Sequence, residues 1–559
     1  MTLEIIKARA YGILPNDEEC REEQLEKLFK EAGDGSTILF EAGTYPMKRQ
    51  FAIRGKKNLT ICGEEGTMFV SHYEPDMGNG QTPGLFHFSN CENLKLMGFD
   101  VTTDCPANCT GTVVAKDPEG GTYEFRPDPG FSMTGRERVM AQNSFDEEGT
   151  PDYRLFCYQE NCYDVLTNGN IRIKLTENPA AQLARLMIGQ KVCIRHTVYG
   201  KEYFIFENCR SVHMEDVNIY GAPGSVVRLL PHCADFSFLR FCIRLPKGCK
   251  RLMSSNADGI HIKGLSGSLS MKDCYFEHLG DDALNIHSRA AIVTEFDEAA
   301  HVVRCVSGYC YEGLYECWAE AGAVLEVYDP GNFRKKGTLV VDSYQNGNIS
   351  YSVLEGEVQK GDVLANAEFY ASVHIDHCTV KNSRARGFLL QSRNVLVENC
   401  TFYGISLAAI LIAPDIAYWY EVGPAKNIVI RNNRMEKCAV APIEDNLGVI
   451  IVKASHGTGH AAYPCGVHQD ITITENEFAH NSASSVFVSA TDGVTVTENR
   501  IEKTDPEQYE KVLSNTACAI VLQNCDRVCV KNNTAGISES MLLSANNCTN
   551  QEGNVLDEK

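Results

Sequence analysis

The sequence predicts an all-β chain: a right-handed parallel β-helix, a solenoid, interrupted by two small antiparallel β-barrel-like inserts and capped by a short N-terminal helix. Three observations carry this prediction. A short unit recurs, in which alternating apolar residues run into a polar step ending in Cys or Asn. It recurs at a nearly fixed interval. Two segments then abandon the interval and show hairpin punctuation instead.

The unit appears as FHFSNCENLKLMGFDV (86–101), FIFENCRSVHMEDVNIYG (204–221), VHIDHCTVKNSR (373–384), VLVENCTFYGIS (395–406), ITITENEFAHNS (471–482) and VTVTENRIEKT (494–504). Each is a period-two strand rich in β-branched residues, a turn, and a second short strand. Cys378 and Cys400 are 22 residues apart, and Asn476 and Asn499 are 23 apart. One coil of a parallel β-helix has that length, and such a core grows by repetition. Stacked coils should ladder the Asn amides and fill the interior with small Cys side chains.

Near the start, EECREEQLEKLFKEAGDG (18–35) places Leu25, Leu28 and Phe29 on one helical face and stops at glycine. It is the one clear helical stretch and would cap the solenoid. The segments 106–198 and 290–367 carry DPEGG, DPG and NGN turns between alternating strands, as in small antiparallel barrels. They end alike, in IGQKVCIRH and KGDVLANA, which suggests a duplicated insert. The expected organisation is 1–105 for the first part of the β-helix, 106–198 for one insert, and 199–289 for the central coils. A second insert at 290–367 and closing coils at 368–559 complete it.

Composition narrows the function. Hydrophobic residues make up 43% and charged residues 22%, which excludes disordered and fibrous classes. The net charge of -21 repels phosphate backbones and anionic headgroups, so neither nucleic acid nor a membrane surface is expected as a partner. The opening MTLEIIKARAYG has no basic or apolar targeting region, and many of the 24 cysteines fall at interior positions of the repeat. A cytoplasmic protein with free thiols is therefore expected.

Equivalent positions of successive coils lie one strand spacing apart, about 4.8 Å. NADGIHIK (256–263) laid on DDALNIH (281–287) at an offset of 24 pairs Ile260 with Leu284 and Ile262 with Ile286. His261 then stands beside Asn285 and Lys263 beside His287. The same register sets Phe388 after Leu284, Arg386 near Asp282, and Arg228 next to His261. Asp258, Asp281 and Asp282 thus converge, flanked by arginines and histidines. Like charges so close raise one another's pKa, and two carboxyls with separate roles are the means of glycoside hydrolysis. A lone Asp-Gly would be read as an Asx turn; three aspartates with a basic flank favour chemistry. A second candidate is IAPDIAYWYEVG (412–423), where Asp415, Tyr418, Trp419, Tyr420 and Glu421 offer an aromatic, acidic loop for a sugar ring.

NADG followed by GDD resembles the Asn-x-Asp and Gly-Asp-Asp elements of β-helical glycoside hydrolases, including the polygalacturonases of family 28. The stretches RLMSSNADGIHI, YFEHLGDDALNIH, RARGFLL and AAILIAPDIAYWYEVG more closely resemble glycoside hydrolase family 110, the α-1,3-galactosidases. That resemblance implies an inverting, exo-acting hydrolase of oligosaccharides with terminal α-galactose. It makes Asp281 the general acid, with Asp258 and Asp282 holding the attacking water. It implies that Arg228, His261, Asn285, His287 and Arg386, with Asp415, Trp419 and Glu421 of the loop, grip the sugar, and that the protein is a homodimer. Two other readings compete. In a β-helical lyase the three aspartates would hold Ca²⁺ and Arg386 would be the base; a non-catalytic β-helix would only bind glycans. No cysteine metal site, phosphate loop or dinucleotide motif stands in the sequence, so no metal and no cofactor is expected.

Overall fold

The computed structural model describes residues 4–74, 76, 84–307, 318–416, 419–441, 443, 446–455, 462–502, 518–536 and 542–549. Its body is a solenoid of parallel strands. One interior column shows the logic: Ile260 and Ile262 pair in register with Leu284 and Ile286, and Leu284 continues onto Phe388, then Ile410, Ile450, Val486 and Ile520. All of them are buried. The register expected from the offset of 24 is the one observed. Each such side chain removed from water contributes roughly 1.5–3 kcal/mol.

The polar turns stack as well. Asp273, His377, Asn399, Asn432, Glu475, Glu498 and Asn532 all have positive φ, and each precedes a ladder residue. That left-handed step turns the chain between two parallel faces at every coil. The ladder residues run Cys274, Cys378, Cys400, Asn433, Asn476, Asn499 and Asn533. In the amide half, Asn433 Nδ2 donates to Asn476 Oδ1 at 2.9 Å, Asn476 Nδ2 to Asn499 Oδ1 at 3.0 Å, and Asn499 Nδ2 to Asn533 Oδ1 at 2.9 Å. In the thiol half, Sγ of Cys274 and Cys400 donates to backbone carbonyls instead. All described cysteines are free thiols.

The capping helix spans Glu22–Glu31 and buries Leu25, Leu28 and Phe29. Phe29 packs against Phe51 and Phe86, and Lys56 Nζ satisfies the helix C-terminus by donating to the carbonyls of Lys30 and Ala32. It is not the only helix: Pro179–Arg185 forms a second inside the first insert.

That helix explains a further difference from expectation. The first insert is an open seven-stranded antiparallel sheet rather than a closed barrel, with Pro151–Cys157 at one edge and Cys162–Val165 at the other. Gln182 of the helix accepts the N–H of Phe156 at 3.0 Å, so a side chain and not a seventh pairing serves this edge. The second insert does close. Strand Leu284–Asp297 leaves the solenoid, pairs antiparallel from Ala290 onward, and meets Val302–Ser307, Asn348–Gly356, Lys335–Gln345, Val324–Tyr328 and Val363–Asn366, which returns to it. The inserts share one device: in both, the last strand pairs with the first, Lys191–Arg195 on Asn108–Thr112 and Val363–Ala365 on Ala290–Ile292.

Candidate active site

Three successive turns of the solenoid supply the site, each just ahead of a strand in the column above. Asp258 precedes Ile260–Lys263, Asp281 and Asp282 precede Leu284, and Arg384 and Arg386 precede Phe388–Leu390. Glycines let these turns stack. A Cβ on Gly259 would stand 2.6 Å from the Ala283 carbonyl oxygen, and one on Gly280 2.5 Å from that of Asn256. Backbone contact this close brings one oxygen from each of Asp258, Asp281 and Asp282 within 4.8 Å of one another.

Each carboxylate has its own surroundings. Asp282 is bound by Arg386, whose Nη1 lies 2.9 Å from Oδ2 and whose backbone N–H donates to Oδ1 at 3.0 Å. Burial nevertheless pushes Asp282 up to about 6, with Arg386 pulling down and Asp281 pushing up. Asp258 accepts the Asp282 backbone N–H and faces His261 Nδ1 at 2.9 Å. Its burial, reinforced by the carboxylates of Asp281 and Asp282, holds it well above the ordinary carboxylate range. Asp281 meets Arg384 Nη2 at 2.7 Å, and its side chain is 18% exposed against 12% for Asp258 and 3% for Asp282. It is the member open to a substrate.

A second cluster adjoins the first. His261 and His287 approach through their Nε2 atoms, 3.1 Å apart. Glu421 joins them, with Oε1 3.4 Å from His287 Nε2 and 3.9 Å from His261 Nε2, while Asn285 Nδ2 donates to Glu421 at 3.4 Å. Burial pushes Glu421 up to about 7 and His261 well below its usual value. Glu421 arrives by a route of its own: Asp415 and Glu421 pair backbone to backbone across the loop, and Glu421–Val422 pairs antiparallel with Ser288–Arg289. Trp419 is 44% exposed on that loop, and its backbone N–H donates to Asp415 Oδ1 at 3.4 Å. Tyr418 lies outside the described residues.

The structure therefore gathers Asp258, Asp281, Asp282, His261, Asn285, His287, Arg386 and Glu421, with Asp415 and Trp419 on the adjoining loop. Arg228 stands in register beside His261, as expected, but its guanidinium lies against Glu202, Nε to Oε1 3.0 Å. Sequence reasoning missed Arg384 and everything the first insert contributes. Arg384 Nε donates to the Gly280 carbonyl at 2.6 Å, and its guanidinium lies 5.1 Å from the Tyr158 ring. Tyr153 Oη donates to the Arg384 carbonyl at 3.0 Å. Arg195, fully buried, donates to the Asn256 carbonyl at 2.8 Å, and its guanidinium also lies over the Tyr158 ring, 4.6 Å from the centroid. The register that placed Arg386 also places Arg384 beside Gly280. The insert residues offer no such offset.

A parallel β-helix whose adjacent turns bury three carboxyls beside two arginines has the carboxyl equipment that glycoside hydrolysis requires. Similarity to known proteins agrees. Residues 332–501 match the family described as right handed beta helix region. The chain is 24% identical over 525 residues to alpha-1,3-galactosidase A of Shewanella woodyi, covering 88% of this chain and 81% of that protein. It is 28% identical over 507 residues to alpha-1,3-galactosidase A of Bacteroides thetaiotaomicron, covering 85% and 82%. Among solved structures, the Agl-KA catalytic domain matches 97% of this chain and 68% of its own at 11% identity, with a TM-score of 0.49.

Proposed function

We propose that the chain is an inverting, exo-acting α-galactosidase that releases terminal α-1,3-linked galactose from oligosaccharides in a reducing, cytoplasmic setting. The single observation that carries this reading is the convergence of three aspartates in unlike surroundings on adjacent turns, in a chain similar along most of its length to α-1,3-galactosidases. Asp281, the most exposed of the three, reaches the glycosidic oxygen and gives it a proton. Asp258 and Asp282 hold the water and take its proton as it attacks C1 from the opposite face. Inversion needs roughly 6.5–9.5 Å between the acid and the base so that water fits between them, a wider gap than the 4.8 Å within which one oxygen of each aspartate lies here. His261, Asn285, His287, Arg386, Asp415 and Glu421 line the place of the galactose, Trp419 offers it an aromatic face, and Arg228, paired with Glu202, adjoins it beside His261. The second reading, a lyase with calcium on the aspartates, is weakened by Arg384 and Arg386, whose guanidinium groups already occupy oxygens of Asp281 and Asp282 where the ion would bind.

The test is incubation with Galα1,3Gal oligosaccharides, following the anomeric proton of free galactose by NMR. β-Galactose appearing first supports the proposal. α-Galactose first would overturn inversion, and no release from any α-galactoside would overturn the substrate assignment; an unsaturated, ultraviolet-absorbing product from uronates would identify the lyase.

A further inference from the structure

We infer, resting on the α-galactosidase reading, that the leaving group of the substrate is a neutral saccharide chain lying over the coils N-terminal to the three aspartates, on Tyr199, Arg228, Ile205 and His87. Ala52, His87, Ile205, Arg228 and His261 form one outward column, in register on successive coils of the face that bears the site. Ala52 is exposed and the other four are half-buried. The column continues through Asn285, Leu389, Leu411 and Ile451, and there it shuts. Asn285 and Leu389 are buried, and Leu411 packs into an apolar cluster with Ile451 and Phe487. The loop that bears Glu421 covers this end: Glu421–Val422 pairs with Ser288–Arg289, and a Cβ on Gly423 would strike the Gln391 carbonyl. A galactose between Asn285 and Glu421 therefore has one open direction, toward Arg228.

The residues on that side suit a sugar. The Thr197 carbonyl accepts Asn256 Nδ2 at 2.7 Å beside the Asp258 turn, and Gly200 pairs with Gly224 ahead of the Arg228 strand, too closely for a Cβ on Gly224. Tyr199 is thereby held between that turn and that strand. Water reaches 48% of it, yet desolvation by the surrounding protein raises its phenol well above the usual 10, with Asp281, Tyr158 and Asp258 adding to the shift. A residue both exposed and surrounded stands in the wall of a cleft. Its ring serves the apolar face of the sugar next to the galactose, and its neutral hydroxyl serves that sugar's oxygens. Asp281, whose charge it feels, is the group that protonates the oxygen joining the two sugars. The charged groups of the open side are already paired: Arg228 Nε lies 3.0 Å from Glu202 Oε1, and His87 Nε2 lies 3.2 Å from Glu207 Oε2. With a carboxylate in each pair and a net charge of -21, this side repels uronates and sulfated sugars and offers hydrogen bonds to hydroxyls. From His261 to His87 the column runs about 14 Å at one strand spacing per coil, which leaves room for more than one sugar behind the galactose.

The test measures kcat/KM of the full chain on α-galactosyl fluoride, which carries no sugar behind the galactose, on Galα1,3Gal, and on longer neutral saccharides ending in Galα1,3Gal. The wild type should gain at least about fivefold from the disaccharide to the longer chains, since contacts remote from the bond are used at the bond. Tyr199→Ala should lose roughly tenfold on Galα1,3Gal, the worth of one aromatic contact, and less on the fluoride, while Tyr199→Phe recovers most of the loss. His87→Ala should reduce the gain from chain length, and His374→Ala, an exposed residue on another sheet of the solenoid, should not. Melting temperatures beside the kinetics separate loss of fold from loss of contact. Cleavage of Galα1,3Gal with no gain from longer chains, or equal losses in Tyr199→Ala on the saccharide and the fluoride, would overturn the inference and leave the α-galactosidase reading standing. Faster cleavage when a uronate follows the galactose would overturn the neutral class. Cleavage of neither the fluoride nor any α-galactoside would overturn that reading and the inference with it.

Discussion

Arg384 and Asp281 form a closed contact, Nη2 to Oδ1 2.7 Å, in which the guanidinium is held from behind by the first insert. Tyr153 bonds the Arg384 carbonyl and the Tyr158 ring lies 5.1 Å from its guanidinium, so an open sheet more than two hundred residues earlier positions the carboxyl that faces substrate. Arg384 is a positioning residue, since it acts through Asp281. Its planar fork also binds the Gly280 carbonyl, which a lysine cannot do at the same time. Arg384→Lys should therefore lower kcat by roughly 10–100-fold, a misplacement cost, with KM changed by no more than a few-fold. Steady-state kinetics on an α-galactoside read the split, and equal damage to both constants would argue for loss of the whole pocket.

Asp281→Asn should lower kcat by about 10²–10⁴-fold, the usual worth of a positioned general acid. The amide keeps an oxygen for Arg384, so the melting temperature should stay near that of the wild type. Thermal melts beside turnover numbers check both halves. A variant with near wild-type turnover would remove Asp281 from the mechanism.

How much of this was legible follows the period of the chain. Offset arithmetic works wherever coils stack, so Ile260 on Leu284 and His261 on Asn285 follow from an offset of 24, and Arg386 at Asp282 from the offset of 104 that sets Phe388 on Leu284. It fails where the chain leaves the stack. Glu421 meets Asn285 across 136 residues because a loop doubles back; the aromatic and acidic residues of that loop singled it out in the sequence, but no offset set Glu421 against Asn285. The inserts fail for the same reason: their turns announce antiparallel strands, but closure depends on which groups serve the edges, as Gln182 does for Phe156. The helix Pro179–Arg185 is short, and Leu183, its one large apolar residue, is too little to show a period.

The asparagine column makes a prediction about stability. Asn476 is fully buried; it accepts from Asn433, donates to Asn499, and its Nδ2 also reaches the Ile430 carbonyl. Asn476→Ala leaves buried partners on both sides unsatisfied, each worth roughly 1–3 kcal/mol, so a total loss of about 2–5 kcal/mol is expected in denaturant unfolding. Asn476→Cys should lose less, because sulfur fills more of the volume and can donate to a carbonyl, as Cys400 does two positions up the same column.

The pH dependence of Asp282 sets stability against activity. Burial raises its carboxyl from the usual 3.8 to about 6. A raised carboxyl binds its proton more tightly folded than unfolded, so its contribution to stability is complete below about pH 4 and is lost as pH rises through about 6. At 1.36 kcal/mol per unit the loss is about 3 kcal/mol at most. The melting temperature of the wild type should accordingly fall between pH 4.5 and 7 relative to that of Asp282→Asn, in which this carboxyl is absent. Activity runs the other way, because Asp282 must be ionised to take a proton from water. The acid limb of kcat/KM should lie near pH 6 in the wild type. Arg386 is the charge that keeps it from lying higher, and an opposite charge at this distance lowers a carboxyl by about 1–3 units. Arg386→Met should move the acid limb up by at least about one unit, measured from kcat/KM across pH 4–9. A limb that stayed in place would show that the titrating base is another carboxyl.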